Sequence, residues 1–266
     1  MKYIADHDYH IHSQLSSCSS DPEQTKERLL KYAEENGFSQ LCVTDHFWDE
    51  RVLGASRWYQ PQNLAHVSQS LPLPQGAHTV FHFGCETDFD KTFTLGIAKE
   101  TFDRFDFVIV PTSHMHMLGV TLYERDFTIE GLTRLYVERI EALLGMDLPF
   151  HKMGWAHPTC QLLAPTHFED HLKVLNGISD DTFARIFAKI AQKGMGVELN
   201  MPIFEYSEQQ LPDALRPYRI AKDCGCKFYL GSDAHHPKEL KTAKAGFERI
   251  IELLELTEAD KFRPFG

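Results

Sequence analysis

The chain alternates short apolar segments of strand length with segments that carry helix signals, and this alternation constrains its fold more than any other feature. Seven apolar segments are typical of strands, and they end near His12, His46, Phe89, His114, Pro158, Asn200 and His235. Strands that alternate with helices predict a parallel sheet, because parallel neighbours need crossover connections. Seven such strands without a Pro/Gly-rich linker favour a single barrel-like α/β domain over residues 1–266.

Helix signals in the intervals support this alternation. Residues 21–37 predict a helix with Asp21 as its N-cap and Pro22 at its first position, and residues 179–194 repeat the design with a terminal glycine. A doubly wound open sheet is the competing architecture, and it normally binds a nucleotide through a Gly-rich first turn. The loop after the first predicted strand, residues 13–21, contains no glycine, which favours the barrel.

Histidines and acids gather where the predicted strands end. The residues at these ends are His10, His12, Asp45, His46, Glu86, His114, His116, His157, Asp233 and His235. Because residues i and i+2 of an extended chain share a face, His10 and His12 are expected to point together, with Asp8 on the same face. In a parallel barrel these strand ends lie on one rim, where active sites are built. At least five of the seven ends carry such a residue, which predicts a metal site rather than scattered turn caps.

The chemistry of these side chains indicates the kind of metal. Imidazole and carboxylate ligands without obvious thiolates suit zinc, manganese or iron rather than calcium or a Cys-rich structural zinc site. The donors are too many for one tetrahedral ion. We therefore expect two to three divalent transition-metal ions with bridging carboxylates, an arrangement that polarises phosphoryl groups.

Charge and hydropathy exclude several classes of protein. The formal charge of −11 argues against a general nucleic-acid binder, which needs a basic face. An anionic substrate stays compatible with this charge, because bound cations cancel part of it locally. The apolar runs are far shorter than the roughly 20 residues that cross a bilayer, and the N-terminus lacks the apolar core of a signal peptide. A soluble, cytoplasmic protein without membrane partners is expected.

The ordered motifs "DYHIH", "TDH", "GCE", "SHMH", "AHP" and "GSDAH" resemble the polymerase and histidinol phosphatase (PHP) superfamily of metal-dependent phosphoesterases over residues 8–235. The resemblance implies a distorted seven-stranded TIM-like barrel, the PHP fold. It also implies hydrolysis of a small phosphomonoester by a metal-bound hydroxide at a di- or trinuclear site, with histidinol phosphate as the substrate that the family suggests. Phosphodiesterase or nuclease, protein-tyrosine phosphatase, barrel amidohydrolase and non-catalytic metal-binding functions stay open as alternatives.

Carried over by position, the resemblance implies three metals. The ligands of the first are His10, His12, Glu86 and Asp233. Glu86 would bridge to a second metal, completed by His157 and by a histidine of "SHMH", for which His114 is favoured over His116. The third would be held by His46, His235 and a donor from the loop after the first strand, either Asp21 or Cys18.

Other residues are candidates for proton transfer and substrate binding. Protonation of a leaving alkoxide needs an acid within reach, and Asp8, Asp45 and His116 are the candidates, of which Asp45 is expected rather to orient a metal ligand. The loop over residues 47–61 contains Arg51 and Arg57, which are expected to grip the phosphate of the substrate. The alternative is that the aromatic residues of this loop simply cover the mouth of the barrel.

Overall fold

A computed structural model describes residues 1–19 and 21–265 of the protein, and its strands form a nearly closed parallel barrel. The strands are β1 (His7–Ile11), β2 (Gln40–Val43), β3 (His46–Phe47), β4 (Val80–Thr87), β5 (Phe107–Pro111), β6 (Met153–Ala156), β7 (Gly196–Leu199) and β8 (Lys227–Leu230). They pair in the order β1-β2-β4-β5-β6-β7-β8, all parallel, and the short β3 pairs with β4. A bridge between Ile11 and Ala234 brings the end of β1 next to the segment after β8. The predicted seven-stranded α/β barrel is confirmed.

Helices alternate with these strands. The α-helices of the described residues are α1 (Lys26–Asn36), α2 (Leu64–Val67), α3 (Ile129–Gly145), α4 (Asp170–Asn176), α5 (Asp180–Lys193), α6 (Leu211–Asp223) and α7 (Leu240–Leu253). The 3-10 helices are Ser68–Ser70, Lys99–Arg104, Glu124–Asp126, Phe150–Lys152, Gln161–Leu163 and Glu258–Asp260. Among the residues described, no helix combines the length and apolar character needed to cross a membrane.

The start of α1 corrects one prediction. The helix begins at Lys26, and its N-cap is Thr25, whose side chain accepts a hydrogen bond from the N–H of Arg28. Asp21 instead accepts a hydrogen bond from the N–H of Glu23, at 2.8 Å, in a turn that precedes the helix. The predicted N-cap at Asp21 is therefore wrong. The Asp21 side chain accepts a hydrogen bond within the preceding turn, and Thr25 is the residue that caps the helix.

Successive side chains of the strands separate into two buried layers. Val108 and Val110 of β5 belong to the large core that includes the helices, whereas Phe107 and Ile109 belong to a second cluster with Tyr229. Because strand residues alternate between faces, the second cluster fills the inside of the barrel. The polar side chains of the predicted site lie at the carboxyl ends of the strands.

Candidate metal centre

Side chains from the strand ends converge into three groups whose donor atoms lie within 4.8 Å of one another in each group. The first group is His10, His12, Glu86 and Asp233. The second is Glu86, His114 and His157, and the third is His12, His46 and His235. The structure thus brings together eight of the nine ligands that the sequence predicted, and the ninth, Asp21, lies outside these groups.

Glu86, near the end of β4, lies at the centre of the cluster. Its Oε2 is 3.0 to 3.6 Å from ring nitrogens of His10, His12 and His46. Its Oε1 is 3.0 Å from Nε2 of His157 and 3.8 Å from Nε2 of His114. Burial alone would raise the pKa of this carboxyl, but the surrounding imidazoles, led by His46 and His10, hold it well below its usual range. Glu86 is therefore a carboxylate shared by the first and second groups.

Hydrogen bonds at the outer ring nitrogens orient most of these histidines. Nδ1 lies 2.7 to 2.9 Å from an oxygen in five of them: His10 from Glu198, His12 from Ser16, His114 from Asp88, His157 from Ser113, and His235 from the carbonyl of Asp233. When Nδ1 donates to such an oxygen, the lone pair is on Nε2. This pattern of outer partners is typical of metal-ligating histidines.

The polar atoms inside the cluster fit a cation. Nε2 of His10 and Nε2 of His12 lie only 3.1 Å apart, and each is within 3.1 Å of the same carboxylate oxygen of Asp233. Two further buried atoms, Oε2 of Glu86 and Nδ1 of His46, lie 3.0 Å apart without the geometry of a hydrogen bond, and neither has another hydrogen-bond partner among the described residues. Lone pairs that face one another in a buried site are satisfied by a metal ion. Imidazole and carboxylate donors together suit zinc, manganese or iron.

The third group differs from the prediction in its third donor. The rings of His46 and His235 lie 4.6 and 4.1 Å from the ring of His12, so His12 takes the place expected for a loop residue. The carboxylate of Asp21 lies 3.1 Å from Nδ1 of His236 instead, away from the group. Cys18, the other loop candidate, lines the cavity beside the cluster. The loop residue that faces the site is therefore Cys18 and not Asp21.

His235 is well suited to act as a neutral ligand. Burial, reinforced by the neighbouring His12, lowers the pKa of its imidazole to about 3. Its Nδ1 donates to the carbonyl oxygen of Asp233 at 2.7 Å. Nε2 is then unprotonated near neutral pH, which is the form that binds a metal.

The structure does not bring Asp8 to the cluster. The register of β1 shifts between Asp8 and Ile11, so Asp8 no longer shares a face with His10 and His12. The carboxylate of Asp8 instead accepts hydrogen bonds from the hydroxyl of Tyr32, on α1, and from the N–H of Ser232. Burial raises the pKa of this carboxyl to about 6 despite these bonds. The expectation that Asp8 faces the substrate is therefore wrong, because a strand irregularity breaks the i, i+2 pattern.

His114 and His116 occupy different positions. Nε2 of His114 faces Glu86, and its Nδ1 is 2.8 Å from Asp88, so His114 belongs to the cluster. His116 lines the adjoining cavity with its ring 5.3 Å from that of His114. Partial burial and the neighbouring His114 lower the pKa of His116 to about 4. At neutral pH its imidazole carries no excess proton, so it is placed as a hydrogen-bonding group rather than as a cationic acid.

The two arginines predicted to bind phosphate also lie in different places. Arg57 lines the cavity next to the cluster. Arg51 forms an ion pair with Asp49 at 3.0 Å and a hydrogen bond with Thr101, and it is not part of the cavity wall. The carboxylate of Asp49 holds this guanidinium in place through two of its nitrogens. The structure therefore leaves Arg57 as the arginine available to a substrate.

Two buried acids that the sequence analysis did not assign to the cluster support it. Glu198, on β7, accepts hydrogen bonds from Nδ1 of His10 and from the N–H of His157. Asp88 is bonded to Nδ1 of His114 at 2.8 Å and to the fully buried Arg139 at 2.9 Å. Asp88 follows Glu86 by two residues, and in an extended segment this spacing puts two side chains on the same face. The sequence therefore contains a signal that could have identified Asp88.

Backbone conformation at two site residues is unusual. His157 and Asp233 have φ angles of 26° and 55°, in the left-handed region that L-residues rarely adopt. The bond from the N–H of His157 to Glu198 and the bond from the N–H of Asp233 to the carbonyl of His10 hold these conformations. Strained residues held by their surroundings occur at functional sites, and here both belong to the cluster.

A cavity of about 560 Å³ opens directly onto the cluster. Its wall includes His46, His114, His235, Glu86 and Asp233, the members of the cluster that a ligand can reach. The volume falls in the range of pockets that bind small molecules. The cluster is therefore accessible to a small ligand from one side.

One solved structure resembles this chain over nearly its whole length. A search of curated proteins gave no match. The structure of a histidinol phosphate phosphatase (HisK) from Lactococcus lactis subsp. lactis Il1403, complexed with zinc, L-histidinol and phosphate, is similar with a TM-score of 0.55 and 18% identity, over 97% of this chain and 98% of that chain. An uncharacterized protein is similar with a TM-score of 0.40 and 12% identity, over 93% of this chain and 69% of that chain. The first of these supports the barrel fold.

The family assignment follows from a match that spans most of the chain. The model of the PHP domain matches residues 8–202, which contain β1 except its first residue, all of β2 to β7, and the histidine and glutamate residues of the first six strand ends. The resemblance inferred from the ordered motifs is thereby confirmed. The chain belongs to the PHP domain family.

Proposed function

We propose that this protein is a metal-dependent phosphoesterase that hydrolyses a small phosphomonoester. The observation that carries the proposal is the carboxylate of Glu86, ringed by five histidines at the floor of a cavity that also contains Arg57. A buried group of imidazoles and acids fits divalent cations, and a cationic wall residue fits an anionic substrate. Membership of the PHP domain family supports the same reaction class.

The proposed centre contains two to three divalent ions, of zinc, manganese or iron. Three groups of donors support this number, and the HisK structure, which contains zinc, supports the choice of a transition metal. Ions held there would supply positive charge to the phosphoryl oxygens and lower the pKa of water. Glu86 and Asp233 are the only carboxylates that the described cavity wall contains, so two divalent ions already leave the site with net positive charge.

The protein's own residues hold and orient the reacting groups. Glu198 and Asp88 fix the rings of His10 and His114 through their Nδ1 atoms. Arg57 contributes a guanidinium to the cavity wall, where it can bind a phosphate oxygen. His116 offers a neutral imidazole that can accept or donate a hydrogen bond at the same wall.

Metal analysis and a substrate panel test this function together. Protein purified without chelator is expected to contain two to three transition-metal ions per chain and to release phosphate from phosphomonoesters, with histidinol phosphate included in the panel. Fewer than one ion per chain would contradict the metal centre. Activity only on phosphodiesters would indicate a phosphodiesterase or nuclease, and activity only on amides would indicate an amidohydrolase; either result would refute the proposal.

Arg57→Ala is expected to weaken substrate binding. A charge-assisted hydrogen bond from an accessible arginine to phosphate is worth about 1.5 kcal/mol, which predicts a rise in KM of about tenfold with a smaller change in kcat. Steady-state kinetics on a phosphomonoester would measure it.

Arg51→Ala is the matched control for this prediction, because Arg51 lies on the same loop but is paired with Asp49 and Thr101 outside the cavity wall. Its KM is expected to stay within about twofold of the parent value. Equal changes in KM for the two substitutions would show that Arg57 does not bind the phosphate of the substrate.

A further inference from the structure

We infer that the cavity selects phosphomonoesters whose organic group is uncharged and apolar or aromatic, and that it discriminates against esters carrying a free ammonium group. The inference rests on the proposed phosphomonoesterase function and concerns the part of the cavity beyond the metal-binding residues. If the inference holds, the preferred substrate of this protein is not an amino alcohol phosphate such as histidinol phosphate.

The wall beyond the cluster is mostly apolar. Trp58, Met117, Val120 and Leu162 line it, and Arg57 is a cation in the same wall. The carboxylates among the described lining residues are Glu86 and Asp233, and both face the histidines of the cluster. An ammonium group in this cavity would therefore meet apolar side chains, a guanidinium and neutral polar groups such as His116 and Ser56, with no carboxylate among the described lining residues left to form an ion pair with it.

The other acids near the site are engaged elsewhere. Asp45 accepts hydrogen bonds from the hydroxyls of Ser13 and Ser16. Asp49 is bonded to Arg51, and Asp88 is paired with the buried Arg139. None of these three acids belongs to the described cavity wall, so none is placed to form an ion pair with an ammonium group in the cavity.

Trp58 gives the cavity a rigid aromatic surface. Its ring packs edge-on against His46, with centroids 4.9 Å apart and planes at 69°, and against Tyr59, with centroids 4.7 Å apart and planes at 86°. Because His46 belongs to the cluster, an ester whose phosphate reaches the cluster places its organic group beside Trp58. Aromatic and aliphatic groups gain from such contact, whereas an ammonium group loses water and gains at most a cation–π contact with Trp58 in place of an ion pair.

A matched pair of substrates tests the inference. Histidinol phosphate and its desamino analogue, 3-(imidazol-4-yl)propyl phosphate, have similar primary alkoxide leaving groups and differ in the ammonium group; 3-phenylpropyl phosphate tests the aromatic preference. We expect kcat/KM for the two esters without ammonium to exceed that for histidinol phosphate by on the order of tenfold or more. Equal or faster hydrolysis of histidinol phosphate would overturn the inference. Hydrolysis of none of these or other phosphomonoesters would instead refute the proposed function.

Binding without turnover gives a second readout. The sequence has three tryptophans, of which Trp48 and Trp155 are fully buried, so ligand-dependent fluorescence at the cavity is expected to come from Trp58. A phosphonate analogue of 3-phenylpropyl phosphate should change this fluorescence at lower concentration than its 2-amino derivative. Trp58→Phe should remove the signal. Tighter binding of the amino derivative would contradict the inference independently of activity.

Placing an acid in the apolar wall should change the selectivity. Leu162→Glu is expected to raise the ratio of kcat/KM for histidinol phosphate over its desamino analogue by about tenfold, because the new carboxylate can pair with the ammonium group. Leu162→Gln is the matched control and should leave the ratio near that of the parent. Met117→Glu provides a second test at the same wall should Leu162→Glu fail to fold. An unchanged ratio in the folded acidic variants would overturn the inference.

Discussion

Glu86→Gln is expected to remove metal from two of the three groups at once and to abolish phosphate release. Both oxygens of Glu86 face ring nitrogens, Oε2 toward the first group and Oε1 toward the second. Glutamine keeps the shape but replaces one charged acceptor with an NH₂ group, which would face histidine lone pairs where a metal should bind. Loss of an outer partner of a metal ligand costs about 10–100-fold, so loss of this shared ligand should cost more than about 100-fold in metal affinity and activity.

Metal content measured by elemental analysis, together with phosphate release, would check this expectation. Glu35→Gln is the matched control, because Glu35 lies on α1 with its side chain 63% exposed and only a surface pairing to Lys31. Its metal content and activity should equal those of the parent. Retention of both metals by a folded Glu86→Gln variant would show that Glu86 is not the shared ligand.

The barrel could be predicted from the sequence because its signals are local. Each strand is a short apolar run bounded by polar residues, and α5 has a side-chain cap at Ser179 and a left-handed glycine at Gly194. The start of α1 could not be fixed in this way. Asp21 and Thr25 are both residue types that cap helices. Thr25 is the N-cap because its side chain accepts a hydrogen bond from the first turn of the helix, whereas Asp21 accepts one from the turn before it.

The candidate site could be predicted as a set because a parallel barrel brings its strand ends to one rim. His10, Glu86 and Asp233 are far apart in sequence, yet topology alone predicts that they meet. The same reasoning failed for Asp8, since it assumed regular alternation along β1 and the register shifts there. The position of Arg57 inside the cavity and of Arg51 outside it depends on loop conformation, for which the sequence has no periodic signal.

Arg139 shows most clearly what the sequence could not supply. It lies within α3, among residues whose pattern is that of an ordinary amphipathic helix, yet its side chain is fully buried and reaches Asp88 on the segment after β4. Its role depends on a contact across 51 positions of sequence. Only the packing of α3 against the barrel determines that this arginine, and not a neighbouring one, pairs with the acid that orients His114.

Arg139→Met is expected to be the most destabilising substitution at the site. The guanidinium donates to Asp88 at 2.9 Å and to the carbonyl of Thr121 at 3.0 Å, and neither Arg139 nor Asp88 is exposed to solvent. Removing one partner of a buried ion pair leaves an uncompensated charge and typically costs about 3–5 kcal/mol. At about 2–4 °C per kcal/mol, Tm should fall by roughly 6–20 °C, which thermal unfolding would measure. Arg185→Met, which removes an exposed partner of Glu141, should change the free energy of unfolding by less than about 1 kcal/mol.

The double variant Asp88→Asn/Arg139→Met separates stability from orientation. Replacing the carboxylate removes the unpaired buried charge, so the free energy of unfolding should recover part of the loss. Metal affinity at the second group should be about 10–100-fold below that of the parent, because asparagine is a weaker acceptor than a carboxylate for Nδ1–H of His114. Partial recovery of stability together with this loss of metal affinity would establish that Asp88 orients His114. Partial recovery of stability with the metal affinity of the parent would mean that the pair serves packing alone, with His114 held by the rest of the cluster.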